Sequence, residues 1–182
     1  MKTYIFDYNG TILDDAAISL ECENTMLEKR NLPGGYSLEQ YRDMYSMPME
    51  PYYRKLGYTF ETESFSDVAD EFTDLYTQKF ERTGLCEGVR ELLNKIREEG
   101  SYCVILSSCH DGILHEQCNR LGISSFFREI MGTNDYLGGS KFDIAENWMK
   151  RNAIHPEDCI YFGDTIADQE TADHIGVKNV IL

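Results

Sequence analysis

Hydrophobic and polar positions follow two rhythms along the chain. Lys2 to Phe6 is a short apolar run ending at Asp7, and from Asp15 onward apolar residues recur at helical intervals through Ile18, Cys22, Met26 and Leu27. Pro33-Gly34-Gly35 then breaks the pattern. Ser37 with Gln40 three residues later has the form of a reciprocally capped helix start. Val68, Phe72, Leu75, Tyr76 and Phe80 place one apolar face on a helix from about Ser66 to Phe80. Residues 16–84 are therefore predicted to be mostly helical.

Beyond residue 84 the rhythm alternates. Helices are predicted over Val89–Glu99, about Gly112–Leu121, Phe142–Asn152 and about Ile166–Ile175. Between and after them come strands at Tyr102–Leu106, near Ile130, at Cys159–Phe162 and at Asn179–Leu182. Such alternation implies right-handed crossovers and a parallel sheet covered on both faces. The expected fold is α/β, a three-layer Rossmann-like core, with Lys2–Phe6 in the same sheet and residues 16–84 inserted as a helical cap. The division is 1–15 and 85–182 for the core and 16–84 for the cap.

Charge narrows the partners. The 182 residues carry 17 Lys and Arg against 32 Asp and Glu, a net charge of −15, which repels phosphate backbones and anionic lipid. Nucleic acid and membranes are therefore not expected partners. No apolar run approaches a membrane span, and Asp7 interrupts the N-terminus before a signal-peptide core could form. The six cysteines lack metal-ligand spacing or a disulfide framework, so a cytoplasmic protein with reduced thiols is expected, as a monomer or a homodimer.

Open parallel sheets bind ligands beyond the carboxyl ends of their strands. The first strand ends in Asp7-Tyr8-Asn9-Gly10-Thr11, where Asn9-Gly10 is equally a hairpin signal. The strand Tyr102–Leu106 ends in Ser107-Ser108, residues also favoured in loops and helix caps. Gly138-Gly139-Ser140-Lys141 precedes a helix, where a lysine is ordinarily solvated. Gly163-Asp164-Thr165-Ile166-Ala167-Asp168 leaves the strand Cys159–Phe162, and Thr165 with Asp168 fits a capping box while Asp164 has no such explanation. Four strand ends thus offer a carboxylate with a Gly-Thr turn, a hydroxyl, a cation and two further carboxylates.

That ordered set resembles the haloacid dehalogenase superfamily, in its phosphoglycolate phosphatase-like and beta-phosphoglucomutase-like subgroup with a helical type-1 cap. The resemblance implies that Asp7 is a nucleophile attacking phosphorus, that Asp7, the Asn9 carbonyl, Asp164 and Asp168 hold or anchor Mg²⁺, and that Lys141 neutralises charge. Gly10, Thr11, Ser107, Ser108 and Lys141 would cradle the phosphoryl group of a small phosphorylated metabolite. Magnesium, a hard cation preferring oxygen donors, suits such a set.

Asn9 departs from the family pattern. Phosphatases of the family usually carry a second Asp there as general acid and base, and an amide cannot exchange a proton at neutral pH. The expectation is a slow phosphatase, or one preferring a leaving group that needs no proton. Two alternatives stand beside it. One is phosphonoacetaldehyde-hydrolase-like C–P cleavage, which needs a cap lysine, with Lys29 and Lys55 as candidates. The other is a non-catalytic binding module. In the cap, Tyr36, Tyr41, Tyr45, Tyr52, Tyr53 and Tyr58 read as packing more than as substrate contacts. Arg42, Arg54 and Lys55 are the cations available for an anionic substrate tail, and hinges are expected near Asp14-Asp15 and Gly84-Leu85.

Overall fold

A computed structural model describes residues 2–134 and 141–182. Five strands, β1 (Thr3–Phe6), β4 (Tyr102–His110), β5 (Phe127–Thr133), β6 (Cys159–Gly163) and β7 (Lys178–Ile181), form a wholly parallel sheet in the order β5-β4-β1-β6-β7. Their side chains alternate between two cores. Phe6, Cys103 and Ile105 join one, together with Val89, Leu93 and Ile96 of α5 (Val89–Glu98) and Leu114 and Cys118 of α6 (Asp111–Arg120). Ile5, Val104, Leu106 and Tyr161 join the other, with Trp148 of α7 (Phe142–Asn152) and Ala172 of α8 (Ile166–His174). Continuous apolar strands are thus buried on both faces, the condition for a parallel sheet between helical layers.

Between β1 and the rest of the sheet lie α1 (Ala16–Lys29), α2 (Leu38–Met44), α3 (Met49–Lys55) and α4 (Phe65–Lys79). They enclose a third core built from Met26, Leu27, Tyr52, Tyr53, Leu56, Tyr58 and Val68. Ser37 and Gln40 form the anticipated capping box, and Ser64 with Asp67 forms a second, which starts α4 one residue earlier than the pattern alone implied. At the edge of this core Arg30 binds Glu63 and Glu71, each at 2.6 Å.

The chain enters and leaves this helical block through a two-stranded antiparallel ribbon, β2 (Leu13–Asp14) with β3 (Gly84–Leu85). Leu13 lies opposite Leu85 and Asp14 opposite Gly84. Asn9-Gly10 does not close a hairpin back onto β1. The chain turns there, with the Tyr8 carbonyl accepting from the Ile12 and Leu13 amides, and the strand that follows pairs with β3 instead.

Register places the functional strand ends side by side. Phe6 lies opposite Ile105 on one flank and Phe162 on the other, so Asp7, Ser107 and Asp164 emerge at the same edge of the sheet. The Asp7 amide donates to the Phe162 carbonyl at 2.9 Å, which carries the pairing one residue past β1.

Candidate active site

The strand ends open on a cavity of about 710 Å³, a size suited to a small ligand. Its wall includes Asp7, Asn9, Gly10, Ser107, Ser108, Lys141, Asp164 and Asp168 from the sheet side, with Arg42, Tyr41 and Tyr45 among the residues from the helical block. Eight of the nine residues anticipated at the site therefore share one cavity.

Lys141 is its centre. It is buried, 7% exposed, and its ammonium contacts Asp7 Oδ1 and Asp168 Oδ1, the latter at 2.6 Å. An unpaired ammonium at this depth would be expensive, and two carboxylates offset that cost. The paired carboxylates keep Lys141 charged, well above the ordinary lysine range in pKa. The expectation that a lysine before a helix is solvated fails here because α7 begins against the strand ends. Gly138, Gly139 and Ser140, quoted with Lys141 in the sequence, lie outside the described residues.

Asp168 is wholly enclosed by donors. Oδ1 receives Lys141 and the Tyr161 hydroxyl at 3.1 Å, while Oδ2 receives the Thr165 hydroxyl at 2.6 Å and the Thr165 amide at 3.1 Å. The capping box and the ion pair are thus both real, one on each oxygen. These donors and Lys141 outweigh burial and hold the Asp168 carboxyl below the usual range. A side chain on Gly163 would put its Cβ 2.3 Å from that of Asp168, so the glycine is what lets the helix close onto the strand.

Asp7 faces the opposite balance. Burial, opposed by Lys141 and reinforced by Asp168 and Asp164, pushes its pKa up to about 7. Oxygens of Asp7, Asp164 and Asp168 lie within 4.8 Å of one another. Three hard oxygen donors this close fit a divalent cation of the magnesium type.

Two site residues do work that the strand pattern did not suggest. Thr11 is buried and does not line the cavity. Its hydroxyl donates to Asp164 Oδ1 at 2.8 Å, so it orients a carboxylate from behind. Asn9 turns its amide toward Asp15, donating to Oδ2 at 2.7 Å, and the Tyr76 hydroxyl donates to the same oxygen at 2.6 Å. Asp15 and Tyr76 therefore belong to the site, and sequence reasoning did not single them out. Gly10, at φ +78°, donates its amide to Asp15 Oδ1 at 3.2 Å, and a Cβ there would lie 2.2 Å from Asp164 Oδ2. Ser107 is buried and accepts from the Cys109 amide at 3.1 Å.

The remaining candidates separate by position. Lys29 binds Glu71 at 2.7 Å, Lys55 binds Ser46 at 3.1 Å, and neither lines the cavity. Arg54 binds Glu50. Tyr52, Tyr53 and Tyr58 pack in the third core, and Tyr41, Tyr45 and Tyr53 reach the cavity. No helix among the described residues is long and apolar enough to cross a membrane.

A parallel sheet of this order carrying an aspartate, serine, lysine and paired aspartates at its strand ends defines a class of hydrolases. The sequence model of haloacid dehalogenase-like hydrolases matches residues 4–182, and the chain belongs to that family. It is 25% identical to the phosphoglycolate phosphatase of Pseudomonas putida over 188 residues, covering 98% of this chain and 68% of that protein. Among solved structures, a haloacid dehalogenase-like hydrolase from Streptococcus pneumoniae superposes with a TM-score of 0.84 at 19% identity, covering 100% of this chain and 84% of that one. CbbY from Rhodobacter sphaeroides, solved with phosphate, superposes with a TM-score of 0.76 at 15% identity, covering 100% and 85%.

Proposed function

We propose that the protein is a magnesium-dependent phosphatase acting on a small phosphorylated metabolite through an aspartyl-phosphate at Asp7. The observation that carries this reading is Lys141, buried between Asp7 and Asp168 in the cavity that also holds Ser107. A carboxylate approaching a phosphate dianion needs positive charge fixed in advance, and Lys141 supplies it without reorganisation. The phosphatase name of the curated relatives supports the same chemistry.

In the first half-reaction an Asp7 oxygen forms a bond to phosphorus as the ester P–O bond breaks. In the second, water attacks phosphorus and Asp7 is released with inorganic phosphate. Asp7, Asp164 and the Asn9 carbonyl would hold Mg²⁺, which supplies charge neutralisation as two anions meet. Asp168, with both oxygens already receiving donors, fits the anchoring of Lys141. Ser107 and Ser108 would bind phosphoryl oxygens. Asn9 Oδ1 can accept from a water but has no proton to give a leaving oxygen, so leaving groups that depart unprotonated are favoured.

The core of 1–15 and 85–182 with a cap of 16–84 is part of this proposal, and the β2–β3 ribbon supports placing the boundaries there. The six cysteines, all free, support a cytoplasmic location. Phosphonate cleavage would require a cap lysine, and Lys29, Lys55 and Lys79 all lie outside the cavity wall.

The test is hydrolysis of p-nitrophenyl phosphate, whose phenolate leaves without a proton. Turnover should require Mg²⁺ and disappear in Asp7→Asn. Turnover that persists in Asp7→Asn rejects the nucleophile.

A further inference from the structure

The helical block presents one carboxylate to the cavity that the reaction does not use. Asp15, Ser19 and Glu23 follow one another at four-residue spacing from the N-cap of α1, so they occupy one face over successive turns. All three are buried and all three line the cavity. With a rise of about 1.5 Å per residue, Glu23 sits roughly 12 Å further along the helix than Asp15. Asp15 is engaged by Asn9, Gly10 and Tyr76 beside the reaction centre. Glu23 marks the far end of the same wall.

Glu23 is 2% exposed, yet one donor reaches it among the described residues, the Tyr52 hydroxyl on Oε2 at 2.7 Å. No cation among the described residues pairs with it. Buried carboxylates ordinarily satisfy several lone pairs and pair with a cation. Gln117, from α6, lines the same cavity, and its Oε1 also lacks a donor among the described residues. Two acceptors on the cavity wall are thus short of donors. The cations on its wall are Lys141, committed to Asp7 and Asp168, and Arg42, which is exposed and so lies toward the opening. Tyr41, Tyr45 and Tyr53 line the space and feel the Glu23 charge, which gives an organic cation aromatic surfaces as well as a counter-ion.

We propose that Glu23 is a specificity-determining residue that binds a protonated amine at the far end of the substrate, making the preferred substrates phosphate monoesters of amino alcohols or amino sugars. The inference rests on the phosphatase reading for the phosphate end alone. It runs against a carboxylate-ended substrate, the kind named for the curated relatives. A second carboxylate brought toward Glu23 would meet like charge at a buried position.

Calorimetric titration of the Asp7→Asn protein in Mg²⁺ tests it, using ω-aminoalkyl phosphates and ω-carboxyalkyl phosphates matched from two to six carbons. At the best chain length the amine should bind on the order of 10-fold or more tighter than its carboxylate partner, as a charge-assisted contact allows. Adding Glu23→Gln, which keeps an acceptor for Tyr52, should bring the pair to within about 3-fold. Equal or tighter binding of the carboxylates in the parent protein overturns the proposal without need of the second variant, as does no binding by either series. An amine preference that survives Glu23→Gln overturns it too. Hydrolysis of p-nitrophenyl phosphate by the wild type separates the two readings. Its absence alongside an amine preference rejects the phosphatase and leaves the amine site standing, and the reverse pattern rejects the amine site alone.

Discussion

The side-chain amide of Asn9 donates to the Asp15 carboxylate across 2.7 Å. A carboxylate at position 9 would therefore face another carboxylate, and the two could not both ionise cheaply. Position 9 is an amide next to an acid, which keeps that corner neutral apart from Asp15 itself.

Asn9→Asp is expected to raise turnover of an alkyl phosphate by about 10²-fold or more, the usual worth of a positioned general acid and base. It should also lower stability as pH rises past the ordinary carboxylate range of about 4, where the unfolded chain releases a proton that the folded pair retains, and Asp15→Asn in the same chain should restore stability. Steady-state rates and urea melts at pH 5 and pH 8 check both parts. An unchanged alkyl phosphate rate would falsify the account of Asn9 as the cause of slow turnover.

Lys141→Met leaves Asp7 and Asp168 buried without their cation. Breaking a buried pair from one side typically costs about 3 to 5 kcal/mol. Chemical denaturation at pH 7.5 should show a loss of that order, together with loss of phosphatase turnover. A loss below about 1 kcal/mol would contradict the burial described for the trio.

Burial pushes the Glu23 carboxyl from an ordinary value of 4.5 up to about 7, with the Tyr52 hydrogen bond pulling the other way. Below pH 4 folded and unfolded chains both carry the proton, and Glu23 costs nothing. As pH rises from 4.5 to 7 the unfolded chain releases its proton first, so folding loses up to roughly 3 kcal/mol, and the loss is constant above pH 7. Glu23→Gln should therefore melt higher than the parent at pH 8 and level with it at pH 4, as followed by circular dichroism.

Gly10→Ala forces a Cβ to within 2.2 Å of Asp164 Oδ2 on a residue at φ +78°. The strain alone is worth about 1 to 2 kcal/mol, and the displaced carboxylate should weaken Mg²⁺ binding. A magnesium titration of activity should show a higher half-saturating concentration than the parent's.

The sheet and the order of its elements were legible because buried parallel strands announce themselves as apolar runs between helical patterns. β2 and β3 were not, since two-residue strands have no periodicity. Nor was α3, a seven-residue helix with Pro51 in its first turn. At the site, Asp7, Ser107, Lys141 and Asp164 came from the joint order of strand ends. Lys141 was the instructive one, because its own neighbourhood in sequence describes a solvated residue and only the fold buries it. Asp15 reads in the sequence only as a hinge, and Glu23 is passed over because it shares α1 with Ile18, Cys22 and Met26, where polar residues between apolar ones read as a solvated face. In this fold α1 buries a polar edge against the cavity beside its apolar face, while Ala17, Thr25 and Glu28 stay exposed.

The β2–β3 ribbon has a further consequence. Asp14 and Gly84 stand opposite each other although sixty-nine residues, 15–83, lie between them. The helical block therefore leaves and rejoins the chain at nearly one point, and none of its backbone takes part in the five-stranded sheet. A short splice across that point would close the loop without severing a single rung of the sheet. The segment proposed to select the substrate is in this sense exchangeable, and a lineage could trade one such segment for another while the sheet beneath it stayed unaltered.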